Sequence, residues 1–152
     1  MSEVEITREM HERLAKSLFN STWDLLERTD RTEEDEVAMI HSAHASRHHW
    51  GQIGEPLQFE RGEWQISRVY SVLGRSEPTL YHAKLCLETC KENDIGDFDI
   101  AFAYETMARA YAVAGDEENY EKYRGMAERA GEEIEDKGNR DYFIGELNSI
   151  KA

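Results

Sequence analysis

The chain has 152 residues, long enough for one domain with a sizeable core. Its formal charge of -14 at pH 7 repels polyanions, which excludes nucleic acid and anionic membrane surfaces as natural partners and favours a basic or neutral one, although solubility alone accounts for the acidity equally well. Three Trp, seven Tyr and five Phe argue against disorder, and only two Pro leave long helices unbroken.

Met1 to Met10 lacks the basic and apolar regions of a signal peptide, and no apolar run approaches the roughly 20 residues of a membrane span. A cytoplasmic location is expected. The pattern predicts an all-α fold of about seven antiparallel helices, a single domain over residues 1–152. The first helix runs from about Ile6 to Arg28, with Leu14, Leu18, Leu25 and Leu26 apolar. Thr32 caps the second, with Asp35 in capping-box spacing, and this helix reaches about Trp50. Gly51 to Gly62, with three Gly and one Pro, reads as the longest non-helical connection.

A third helix covers about Glu63 to Leu73. Ser76 caps the fourth, with Pro78 in its first turn, and this helix ends near Asn93. Asp97 caps the fifth. Gly115-Asp116 ends the fifth and caps the sixth, and a last helix spans about Arg140 to Ile150. Cys86 and Cys90 lie four apart on one helix face, about 6 Å between Cα atoms. A disulfide is within reach, and a reduced pair is the default.

The fifth helix is apolar on two sides. Ile100, Ala101, Tyr104, Met107, Ala108 and Tyr111 form one stripe, and Phe102, Ala103, Ala110 and Val113 another. A helix of that kind is sandwiched between neighbours. Tyr104, Met107, Ala108 and Tyr111, then Gly115-Asp116, Ala127 and Glu132, together resemble the tetratricopeptide repeat family. Tyr120 and Arg124 depart from its pattern. A weaker copy lies upstream in Ile66, Ser67, Tyr70, Gly74, Ala83, Leu87 and Cys90, with a turn about four residues longer than usual. The resemblance covers roughly Glu63 to Glu132. It implies a short right-handed solenoid of helix pairs with a concave binding face, closed by a C-terminal capping helix.

Four of the six histidines lie between His41 and His49. His41, His44 and His48 fall on one helix face, a spacing that suits metal ligation in pairs. His41 and His48 are about 10.5 Å apart along the axis, too far for one ion, so further ligands would come from Glu60, Glu63, His82 or Cys86. The same histidines are equally read as hydrogen-bonding groups between helices or as a group sensitive to pH near neutrality. His82, Cys86 and Cys90 recur every four residues, which reads as a soft-metal or redox face, against the plainer reading that Cys90 fills a small packing position in the repeat pattern.

Arg61, Trp64 and Arg68 offer a cation and aromatic platform, against the plainer reading of a core Trp with exposed Arg around it. The resemblance places the first helix of each pair along the groove, so Arg61, Trp64 and Arg68 would face a ligand next to the second helix. The surface of the second and third helices, with His44, His48, Trp50, Arg61, Trp64 and Arg68, is selected as the partner-binding groove. There is no P-loop, no nucleotide-binding GxGxxG and no nucleophile elbow. The expected function is a non-enzymatic scaffold holding a protein or peptide partner, without a cofactor. The alternatives are a small helical metal-binding, enzymatic or sensor protein built on the His41–His49 cluster, and a self-associating dimer with Phe143, Leu147 and Ile150 at its seam or capping the stack.

Overall fold

The computed structural model describes residues 3–151. Among them are seven helices and no strand: α1 Arg8–Glu27, α2 Glu33–Ile53, α3 Pro56–Val72, α4 Ser76–Glu92, α5 Asp97–Ala114, α6 Glu117–Glu132 and α7 Lys137–Asn148. None is long and apolar enough to cross a membrane.

Local chemistry sets the boundaries. Thr32 and Asp35 form the expected capping box at α2, with reciprocal hydrogen bonds of 3.1 and 3.0 Å. Asp116 caps α6 through the Asn119 amide. Gly74 and Gly115 take φ of +71° and +72° after α3 and α5, a left-handed conformation that costs a side-chain-bearing residue more.

Several boundaries differ from the sequence expectation. The segment from Gly51 to Gly62 is largely helical: α2 continues to Ile53, and α3 begins at Pro56 rather than Glu63. Pro56 occupies the first helical position, where an N–H would have no partner, and Glu55 and Gln58 close a capping box ahead of it. Gly62 is a packing residue, since a Cβ there would come within 2.7 Å of Arg47 Cδ.

Arg75, not Ser76, is the N-cap of α4, and Gly96, not Asp97, that of α5. Asp97 has φ +53° and accepts instead from the Glu135 amide, tying α5 to the start of the last connection. Only Leu73 to Arg75 separate α3 from α4, so the upstream turn is short. The final helix starts at Lys137 because Asp136 caps it.

Consecutive helices pack on one another, and α1, α3, α5 and α7 also contact in succession. Among the described residues the backbones of α2, α4 and α6 do not pack on each other, although side chains of α2 and α4 meet at His44 and His82. The odd helices therefore form an inner row. Three apolar clusters fill the layers: Met39, Ala43, Ile66 and Val69 between α2 and α3; Ala83, Leu87, Ala103, Met107 and Ala110 between α4 and α5; and Ala101, Phe102, Ala127, Ile134, Phe143 and Leu147 under α7. Helix α5 contributes to two of them, as its double apolar stripe predicts. Phe143 and Leu147 are spent within the chain, as a cap over α5 and α6.

Arg124, which departs from the repeat pattern, donates to the Leu147 carbonyl and to Asn148 Oδ1, both at 2.9 Å. It fastens the end of α7 to α6.

Candidate functional site

The inner row leaves a groove of about 410 Å³ between α1, α3 and α7. Trp23, Trp64 and Tyr142 supply its aromatic walls, Arg68 a cation, and Glu27 and Glu146 acidic groups. Trp23 and Trp64 have ring centroids 5.4 Å apart, and the Arg68 guanidinium lies 6.0 Å from the Trp23 ring. Arg68 is only 11% exposed and spans two acids, Glu105 and Glu146, at 3.7 Å each. Burial pushes its pKa down and Glu105 opposes that. Trp64 Nε1 and Arg68 Nη2 are buried donors that have no hydrogen-bond acceptor among the described residues.

The six residues selected from the sequence are divided among separate places. Trp64 and Arg68 line this groove. Trp50 and Arg61 line a different hollow of about 400 Å³ with Lys16, Phe19, Asn20 and Gln58. His44 joins a third group, where its Nε2 lies 2.9 Å from the Tyr70 hydroxyl and its ring 5.4 Å from that of His82. Burial, then His82, holds the His44 pKa below the ordinary histidine value, against the pull of Glu63. His82 Nδ1 meets Glu63 Oε1 at 2.7 Å, and Arg47 donates to the other Glu63 oxygen at 3.0 Å.

His48 is exposed and borders His49, whose Nδ1 reaches His11 Nδ1 at 2.9 Å. His41 is exposed. The histidine face is not drawn together: among the described residues no three His, Cys, Asp or Glu donors that include His41, His44 or His48 come close enough to share an ion.

A convergence of another kind lies between α3, α4 and α5. Glu60 is 2% exposed, and its Oε2 accepts from Cys90 Sγ at 3.3 Å and Cys86 Sγ at 3.6 Å. Both thiols are free and buried. The i,i+4 spacing of the cysteines puts them on one face of α4, toward Glu60. Asp99, from the first turn of α5, stands beside Glu60 and is gripped by Arg61 through two hydrogen bonds of 2.9 and 3.1 Å. Burial drives the Glu60 carboxyl up to about 11, and Asp99 and Cys90 push the same way. Burial works against ionisation of Asp99 too, but the Arg61 hydrogen bonds hold it below the usual carboxylate range. Cys90 and then burial push the Cys86 thiol up.

The sequence reading offered Glu60 only as a helper to the histidines, and Cys86 either in that role or on a soft-metal face with His82 and Cys90, without Glu60. Asp99 and Glu105 went unread. A Glu amid the apolar run of α5, four residues before Arg109, is the one local signal that Glu105 is buried and paired. Comparison with protein-family models, with curated proteins and with solved structures returns no match for this chain.

Proposed function

We propose that this protein is a helical module of stacked pairs, tetratricopeptide-repeat-like in plan, that holds a short extended segment of a partner protein in the groove between α1, α3 and α7. The lining of that groove carries the reading. Trp23, Trp64 and Tyr142 are suited to an apolar or cationic side chain, and Glu27 and Glu146 complement a basic one. The net charge of -14 favours approach of a basic segment. The inner position of α1, α3 and α7 supports the concave-face assignment that the repeat resemblance implies.

The variants that test it must leave the fold intact. Trp64 packs against two core clusters, so its removal damages stability and is uninformative. Tyr142 is 54% exposed and Glu27 is exposed. Against an array of unstructured peptides varied in Lys, Arg and aromatic content, wild type is expected to retain basic–aromatic sequences. Tyr142→Ala and Glu27→Lys are each expected to weaken that binding about tenfold, with melting temperatures changed by no more than about 2 °C. Peptide affinity that ignores both substitutions would falsify the groove as the binding site.

A further inference from the structure

We propose that Glu60, Cys86 and Cys90 form a binding site for a thiophilic divalent cation, Zn²⁺ being the natural occupant, with Asp99 or a solvent molecule as fourth ligand. The inference is independent of the partner groove. The donor atoms of Glu60, Cys86 and Cys90 all lie within 4.8 Å of one another. Tetrahedral Zn²⁺, with Zn–S of about 2.3 Å and Zn–O of about 2.0–2.2 Å, sets its ligand atoms about 3.4–3.8 Å apart. The two sulfur–oxygen separations here are 3.3 and 3.6 Å. Little movement is needed to close the ligands around an ion.

A second observation points the same way. Among the described residues Glu60 Oε1 is buried without a well-formed hydrogen bond; its polar neighbours are Asp99 and, at 3.8 Å, Arg61 Nε, so this oxygen is only loosely satisfied in the interior. That is costly unless something occupies it. Two thiols and a carboxylate select a soft to borderline cation over Mg²⁺ or Ca²⁺. The surroundings fit a metal site as well. Arg61, 46% exposed, fixes Asp99 and approaches Glu60 Oε1 at 3.8 Å. It supplies outer-shell orientation and counter-charge. Binding displaces up to three protons to solvent, one from Glu60 and one from each thiol.

The test takes the full chain, reduced and stripped with a chelator, and titrates it with Co²⁺ and Zn²⁺ alone. Co²⁺ is expected to give a thiolate-to-metal absorption in the near ultraviolet that saturates at one equivalent and is abolished by Zn²⁺. Zn²⁺ held 100-fold above its Kd is expected to raise Tm by about 5–10 °C. Cys86→Ser and Cys90→Ser should each lower the Co²⁺ absorption by about half and weaken Zn²⁺ binding tenfold or more. Glu60→Gln keeps the shape of a neutral carboxyl, so it keeps the fold even where a serine variant does not, and it should weaken Zn²⁺ at least tenfold. Absence of the Co²⁺ band overturns the proposal. So does undiminished Zn²⁺ affinity in Glu60→Gln, which would move any binding to the exposed histidines.

Discussion

Glu60 and Glu105 are both fully buried acids on inner helices, one turned toward the thiols of α4 and the other toward Arg68 and Arg109. Their surroundings are opposite. Glu105 accepts two hydrogen bonds from Arg109 and faces Arg68 at 3.7 Å. Arg109 continues to the Glu146 carbonyl and Arg68 to the Glu146 carboxylate, so one acid ties α3, α5 and α7 together. Glu60 has two thiols, a second carboxyl and one cation at arm's length, and its proton stays on. A buried acid enclosed by guanidiniums is a fastening. A buried acid kept neutral among sulfurs is a ligand set awaiting positive charge.

The largest effect should come from breaking the fastening. Glu105→Ala leaves Arg109 without an acid and Arg68 with Glu146 alone, a change that costs about 3–5 kcal/mol. Urea denaturation at neutral pH measures it directly. A loss below about 1 kcal/mol would mean that the two guanidiniums find other acceptors and that the groove wall does not depend on this acid.

Glu60→Gln should go the other way. In metal-free protein the folded state holds the Glu60 proton to about pH 11, whereas the unfolded chain releases it near pH 4.3. A carboxyl raised on folding contributes stability that is complete below the unfolded value and is lost as pH rises toward the folded one. The slope is at most about 1.4 kcal/mol per pH unit. From pH 6 to pH 8, with chelator present, wild type should therefore lose roughly 1–3 kcal/mol relative to Glu60→Gln. Parallel stability curves for the two proteins would show that Glu60 is ionised when folded, and the contrast with Glu105 would collapse.

Of these two regions the sequence displayed the helices far better than the contacts. Seven helices and the sandwiched α5 were readable because apolar spacing and capping residues are local signals. The Gly51–Gly62 reading failed because glycine has two uses. Gly62 admits Arg47 at close range, and Pro56 starts a helix as readily as it breaks one. Arg61, Trp64 and Arg68 were visible as chemistry-bearing side chains, but steps of three and four residues along α3 distribute them differently once other helices arrive. Trp64 and Arg68 meet α1 and α7, whereas Arg61 meets Asp99 of α5, 38 residues away. Neither the Glu60–Cys86–Cys90 convergence nor the Glu105–Arg68 pair follows from any local pattern, since each needs the register between helices.

The smallest effect concerns the two cations. Arg68 is 11% exposed and its removal leaves Glu105 to Arg109 alone, but Arg61 is 46% exposed, though the Asp99 it grips is 14% exposed. Solvent screens such a pair, and the side-chain entropy lost in holding it offsets much of the attraction. Arg61→Gln should therefore cost no more than about 1 kcal/mol, and less in 1 M salt. Denaturation at low and high ionic strength separates the possibilities. A cost above about 2 kcal/mol that salt does not reduce would make Arg61 a second fastening like Arg68. Asp99 would then be locked in place and unable to turn toward an ion, leaving Glu60, Cys86 and Cys90 with solvent as their only fourth partner.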